Sequence, residues 1–275
     1  MHSSRSIGKV FIYMVLILFS AIMILPFISM LLTSLETITE STQVPPLLWP
    51  KSWLFQNYMD VWNSLPFLQF YINTFAVVIL RIICAVVFSS MAAYAFARIK
   101  FPGRDALFMV VLIQMMIPSQ LFIVPQYEMM SSLGWLNTIK ALVFPGLVSA
   151  FGTFLLRQFF LGIPDELEEA GILDGCGRFQ LFVFIALPLA HSGLVAVGIF
   201  TALFAWKDLL WPMVVNMSID KMPLSAGLAS LQGQFNTNYP QLMAGSTLAI
   251  IPMIILFIIF QKQFIQGIAT TGSKN

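Results

Sequence analysis

The chain has 275 residues, 59% of them hydrophobic and only 9% charged, with a formal net charge of +2 and a mean hydropathy of +0.87. Soluble domains carry about a quarter charged residues, so this composition cannot clothe a globular surface and specifies an integral membrane protein. The positive charge is too small and too dispersed to suggest nucleic acid as a partner. The two cysteines, Cys84 and Cys176, have neither metal-ligand spacing nor a disulfide framework.

A helix needs about 20 mostly apolar residues to cross hydrocarbon, because lipid cannot satisfy exposed backbone groups. Six segments qualify in chain order, at 10–32, 71–96, 107–127, 141–156, 181–206 and 242–260. The expectation is an all-α membrane protein with six transmembrane helices in one domain over 1–275. Arg5 and Lys9 precede the first segment as they would a signal peptide. Its apolar run is too long for such a leader and no small-x-small cleavage site follows, so it reads as a retained span. Pro26, Pro118, Pro125, Pro145, Pro188 and Pro252 punctuate the spans; prolines kink helices, and neighbouring helices can re-satisfy the freed carbonyls.

Lys and Arg favour the cytoplasmic loops. With an inside N-terminus, nine basic residues fall inside: Arg5, Lys9, Arg98, Lys100, Arg104, Arg157, Arg178, Lys262 and Lys274. Four fall outside (Lys51, Lys140, Lys207, Lys221), and Arg81 lies within the second span. Both termini are therefore expected in the cytoplasm. The external loops are then 33–70, with "VPPLLWPKSW", 128–140 and 212–241.

Polar groups inside the bilayer usually face the protein interior or a pathway. Asn73, Gln114 and Gln120 are such candidates for a solute path, with interhelical hydrogen bonding as the plainer reading. Arg81 sits about 15 Å into its span at 1.5 Å per residue, where a charge needs a partner: backbone carbonyls or another subunit. No span contains Asp or Glu, Asp208 lying just past the fifth, which argues against an ion-coupled secondary transporter or channel.

The stretch "PDELEEAGILDGCGRFQ" at 164–180 holds five of the twelve acids: Asp165, Glu166, Glu168, Glu169 and Asp174. No catalytic motif and no histidine accompanies them, and GxxxxGK[ST] is absent. Asp165 and Glu166 follow Pro164 and suit the first turn of a helix, where acids oppose the macrodipole. The spacing predicts a short helix over 164–173 with Leu167, Ala170 and Gly171 on one small-residue face. Asp174-Gly175 reads as its stop, with Gly at the left-handed C′ position. "CGRFQLFVFIALP" then returns to the membrane. Pattern alone leaves two readings, a solvated loop and a rigid peg offered to a soluble partner.

Glu169-Ala170-Gly171, Gly175, Ile185 and Leu187-Pro188 resemble the EAA loop of ABC importer permeases: EAA, three residues, Gly, nine residues, then I-x-LP. Gly171 departs from the usual Ala. "SLET" (34–37), "NYMDVW" (57–62), "YINTF" (71–75), "AYAFARIKFPGRD" (93–105), "LMAGSTLAIIP" (242–252) and "FQKQFIQGIATTGSKN" (260–275) resemble the carbohydrate-uptake branch, and the six-span maltose-type second permease within it. The resemblance implies a type I importer in a bacterial or archaeal cell membrane. It implies three kinds of partner: a second homologous permease, two ATPase subunits carrying the ATP and Mg, and an extracytoplasmic sugar-binding protein. This chain would be non-catalytic, surrounded by lipid, and would bind no cofactor itself. Residues 164–180 would be the coupling loop, with Glu169, Ala170, Gly171, Asp174, Gly175, Ile185, Leu187 and Pro188 serving ATPase coupling. The tail at 267–275 would also reach the ATPases, and 212–241 would face the binding protein. A permease for another solute is the alternative within the same superfamily.

Overall fold

The computed structural model of the chain describes residues 2–233 and 237–272, with side chains described for 9, 11–233 and 237–261. Every regular element among the described residues is helical. The principal helices are α1 (His2–Thr33), α2 (Gln56–Ser64), α3 (Phe67–Arg98), α4 (Arg104–Met116), α5 (Ile123–Ser132), α6 (Ile139–Val143), α7 (Ala150–Leu161), α8 (Asp165–Leu173), α9 (His191–Trp206) and α10 (Tyr239–Gly272). Shorter helices and turns and a π-helical run, Leu181–Ala186, connect them.

Among the described residues, three helices are long and apolar enough to span a membrane: Phe11–Thr33, Phe67–Arg98 and Tyr239–Gln261. They coincide with the expected spans at 10–32, 71–96 and 242–260. The other three expected spans, at 107–127, 141–156 and 181–206, are bent pairs of helices. At 107–127 the chain turns 102° between Arg104–Met116 and Ser119–Ser132; the later pairs bend by 43° at Ile139–Gly146 + Ala150–Leu161 and by 78° at Arg178–Leu189 + His191–Trp206. Proline chemistry explains the breaks. Ile117, just before Pro118, is extended at φ −88°, ψ 125°, because the following ring disfavours the α region. Pro145 lies in the 3-10 turn Phe144–Gly146, and Pro188 lies two residues before the break at Ala190. Pro125 falls in the first turn of α5, where the N–H has no intrahelical partner anyway. Pro26 and Pro252 lie inside continuous helices.

The chain divides into two compact units, Met1–Phe67 with Leu228–Pro252, and Leu68–Gly227 with Met253–Asn275. In the first, the apolar stretch of α1 is unburied along its whole length. The loop after α1 is tied down by Asn57, whose Nδ2 donates to the carbonyls of Ser34 (2.9 Å) and Glu36 (3.0 Å). Gly245 of α10 meets Leu228, Phe67 and Val61 so closely that a Cβ would lie 2.6 Å from Leu228 Cδ2.

In the second unit, α3 runs alongside the bent pair 139–161. Ser89 Oγ exchanges hydrogen bonds with the Ser149 carbonyl (3.2 Å) and N–H (3.0 Å). A core of Ala93, Tyr94, Leu155, Leu156, Phe160, Phe182 and Val197 fills the space between α3, α7 and α9. Gly193 allows α9 to close on Phe159, where a Cβ would meet the ring at 2.7 Å. Such contacts show why small residues lie at helix interfaces in membranes: backbones approach closely where hydrophobic burial offers no drive.

Candidate functional site

The acidic stretch folds into α8 and a sharp return. Pro164 precedes the helix and Asp165, Glu166 and Glu168 occupy its first turn, opposing the helix dipole. The C-terminal end is a Schellman motif. Gly175 takes φ +85°, the Cys176 N–H donates to the Gly171 carbonyl at 2.9 Å, and the Gly175 N–H donates to the Ile172 carbonyl at 3.0 Å. The Gly177 N–H then donates to Gln180 Oε1 at 2.7 Å, opening the helical return that leads into Leu181–Ala186.

Glu169, Ala170, Asp174, Gly175 and Pro188 are exposed, while Ile185 and Leu187 are half-buried. Gly171 is buried. A Cβ there would lie 2.6 Å from Leu181 Cδ2 and 2.7 Å from Ile185 Cδ1, so the space at this glycine is filled by the returning segment of the same chain. The predicted face is thus divided: Leu167 and Ala170 look outward, whereas Gly171 lets α8 lie on its own return. Side chains of the tail 267–275, and residues 273–275 altogether, lie outside the described residues, as do 234–236 of the loop 212–241.

Arg98, in the 93–105 stretch that closes the second span, organises the base of α8. Its side chain is 8% exposed and forms ion pairs with Asp165 and, at 3.4 Å, with Glu168 Oε1. Nε also donates to the Phe160 carbonyl at 3.0 Å, and Nη2 donates to the Ile163 carbonyl. Glu168 is itself buried. The signal available in the sequence was the odd pairing of a span-ending Arg with acids in a later loop, 67 residues away.

A second constellation surrounds a cavity of about 650 Å3 lined by Arg81, Gln114, Gln120, Gln126, Lys207 and Asp208, with Phe204 and Trp211 among its apolar walls. The 102° bend sets Gln114 and Gln120 on opposite sides of Pro118 and brings both to this cavity. Asn73 is not with them: it is 2% exposed, and its Nδ2 donates to the carbonyls of Asp220 and Met222, both at 2.9 Å. These two bonds tie the 220–222 stretch to α3.

Arg81 has found its partners within the chain. Nη1 pairs with Asp208 Oδ2 at 2.9 Å, and Nε donates to the Leu142 carbonyl at 2.8 Å. Gly146 makes room for this side chain, since a Cβ would meet Arg81 Cδ at 3.0 Å. Next to it, Trp211 Nε1 donates to the Ala141 carbonyl at 2.9 Å. That carbonyl lacks its usual i+4 donor because position 145 is proline. An arginine and a tryptophan therefore satisfy the backbone where the fourth span breaks.

The pattern of the family described as "Binding-protein-dependent transport system inner membrane component" matches residues 85–270. The chain belongs to this family. Relatives include the arabinooligosaccharides transport system permease protein AraQ of Halalkalibacterium halodurans, 34% identical over 92% of both chains. The diacetylchitobiose uptake system permease protein NgcG of Streptomyces coelicolor is 32% identical, covering 94% of this chain and 86% of the relative. The sn-glycerol-3-phosphate transport system permease protein UgpE of Yersinia enterocolitica is 30% identical over 94% and 95%. A bacterial ABC transporter involved in importing the acidic polysaccharide alginate shares the fold, with a TM-score of 0.81 over 94% of this chain and 97% of that one at 24% identity. The resemblance to carbohydrate-branch ABC permeases thus stands, and membership makes the chain a multi-pass component of a bacterial inner membrane. The family match contains α8, its return, Arg98 and Asp208, and begins after Asn73 and Arg81.

Proposed function

We propose that the chain is a transmembrane permease subunit of an ATP-driven, binding-protein-dependent importer of di- or oligosaccharides. It acts beside a second homologous permease and two ATPase subunits that hold ATP and Mg, and it receives solute from an extracytoplasmic sugar-binding protein. The carrying observation is α8: an exposed acidic helix, capped by a Schellman turn and seated on its own return through Gly171. A rigid, charged projection of this kind suits a cleft in a soluble subunit better than it suits lipid. Glu169, Ala170 and Asp174 on its outer surface would meet the ATPase, and Gly171, Gly175, Ile185, Leu187 and Pro188 would hold its shape. The excess of Lys and Arg supports a cytoplasmic side for α8 and both termini, with six crossings if each bent pair counts as one.

Closure of the ATPase dimer would draw α8 inward and switch the pathway between its two faces. The cavity with Gln114 and Gln120 is the part of this pathway contributed by the chain. Amides and apolar walls suit a sugar, offering hydrogen bonds to hydroxyls and a surface for the ring. The test is uptake into proteoliposomes holding the whole complex with its binding protein. Glu169→Lys is expected to abolish ATP-driven uptake and to weaken ATPase co-purification. Wild-type behaviour of that variant removes the coupling role, and uptake with no ATPase subunit present removes the importer reading. A second reading, an anionic solute, is favoured by Lys207 and Arg81 set against the single carboxylate of Asp208 in the cavity wall; the ligand profile of the binding protein decides between them.

A further inference from the structure

We propose that Arg98 is the positioning residue through which movement of α8 reaches the membrane-embedded helices, an inference that rests on the coupling reading of α8. The argument begins with how α8 is attached. Its C-terminal half touches the chain through Gly171, which lies on Leu181 and Ile185 and so connects it to the fifth bent pair. Its N-terminal half is held by Arg98, at the end of α3. One guanidinium there serves the Phe160 carbonyl in the last turn of α7, the Ile163 carbonyl in the connection, and Asp165 and Glu168 in the first turn of α8.

The chemistry of this junction makes it stiff. Exposed ion pairs are weak because water screens them and long side chains sample many geometries. Arg98 is enclosed, with 8% of its side chain accessible, and its partner Glu168 retains 12%. A guanidinium presents its donors in a fixed planar fork, which an ammonium cannot imitate at several acceptors together. A push on α8 therefore carries the end of α3 with it, or else strips a buried arginine of its carboxylates and carbonyls. The second course is unfavourable because an uncompensated buried charge is left behind. Since α3 also carries Arg81 on the cavity wall, the same helix joins the coupling element to the solute pathway.

The experiment uses the full complex in proteoliposomes with binding protein, comparing Arg98→Lys, Glu168→Gln and Asp165→Asn with wild type. Three quantities are read: co-purification of the ATPase subunits, binding-protein-stimulated ATP hydrolysis, and solute taken up per ATP hydrolysed. A loss of folding lowers all three together. Loss of positioning lowers only the last, because ATPase subunits still dock on the outer face of α8. Arg98→Lys and Glu168→Gln are expected to assemble normally and to lower uptake per ATP roughly fivefold or more, the low end of what an energetic coupling between sites is worth. Asp165→Asn, at a carboxylate that is 81% exposed, is expected to have a smaller effect in the same direction. Should Arg98→Lys fail to assemble, Glu168→Gln decides. Uptake per ATP within twofold of wild type in an assembled Glu168→Gln complex overturns the proposal. If the wild-type chain recruits no ATPase, the coupling reading itself is lost; if it does, and these variants stay coupled, only the role of Arg98 falls.

Discussion

Asp208→Asn tests whether the Arg81–Asp208 pair is a specific, desolvated interaction or an incidental surface contact. The carboxylate lies 2.9 Å from Nη1, and the two side chains are 10% and 22% exposed. Removing the anion leaves Arg81 charged and enclosed, with the Leu142 carbonyl as its acceptor. Breaking one side of a buried pair costs about 3–5 kcal/mol; Asp208 borders a water-accessible cavity, which lowers the expectation to about 2–4 kcal/mol. Arg81→Met removes the other side. Asp208 is then free to hydrate, but the Leu142 carbonyl loses its side-chain donor at the break in the fourth span, at a cost of about 1–3 kcal/mol. Arg81→Met with Asp208→Asn strands no charge, so it should be no less stable than the worse single variant. The assay is equilibrium unfolding of the purified chain in mixed micelles, read as a double-mutant cycle. A coupling energy of about 1–3 kcal/mol is expected, whereas additivity within about 0.5 kcal/mol would refute the pairing as a source of stability.

Two glycine substitutions should separate strictly. Gly227→Ala places a Cβ 2.3 Å from the ring of Phe70, which is fully buried, and is expected to cost about 1–3 kcal/mol or more. Gly171→Ala meets only the flexible ends of Leu181 and Ile185 and gains about 1 kcal/mol of helix propensity, so thermal unfolding should find it near neutral. Trp211→Phe orphans the Ala141 carbonyl and should destabilise by about 1–3 kcal/mol; Pro145→Ala, which restores an N–H at i+4, should recover part of that loss in the double variant. Burial, and secondarily the charge of Glu40, push the Glu36 carboxyl above its usual range. A group with a raised folded-state value contributes most when protonated, and its contribution falls as pH rises through that value. Glu36→Gln should therefore raise the unfolding temperature at pH 7 relative to wild type and lose that advantage near pH 4; equal gains at both values would contradict the desolvation argument.

Three of the spans were readable from apolar length alone, because α1, α3 and α10 are continuous helices: α3 has no proline, and Pro26 and Pro252 do not break α1 and α10. The other three were readable as apolar segments but not as bent pairs. Proline content could not separate them, since Pro26 and Pro252 sit in unbroken helices while Pro118, Pro145 and Pro188 sit at or beside breaks. At the break in the fourth span the Leu142 and Ala141 carbonyls accept from Arg81 and Trp211, which are 61 and 70 residues away in the sequence. The form of α8 was local and so could be read: an acidic first turn and a Gly at C′ are written within ten residues. The direction of Gly171 was not local, because Leu181 and Ile185 reach it only after the chain has turned. Arg98 escaped for the same reason. As a span-ending cation it looks like any topology signal until Asp165 and Glu168 return beneath it.

The contacts of α3 bear on whether the sharply bent 104–132 segment crosses the membrane. Arg81 donates to Leu142, Ser89 bonds Ser149, and Arg98 donates to Phe160, pairings separated by 61, 60 and 62 residues. A constant offset means that α3 and the fourth pair run parallel. The seventeen residues from Arg81 to Arg98 are about 25 Å of helix at 1.5 Å per residue, close to the hydrocarbon thickness. The chain leaves α3 at the Arg98 end and resumes the fourth pair at the Arg81 end, so the intervening segment must travel that distance back. A loop that re-emerged on its own side could not do this. The fourth and fifth pairs then run antiparallel, as Gly152 against Val197 and Gly193 against Phe159 require. These directions support the six-crossing topology proposed above, and single-cysteine labelling tests it. In a background with Cys84 and Cys176 changed to Ser, Lys100→Cys should react with an impermeant thiol reagent only after the membrane is opened, and Lys140→Cys without opening it. Labelling of both from the same side would mean that 104–132 is re-entrant, and the parallel packing of α3 with the fourth pair would have to be abandoned with it.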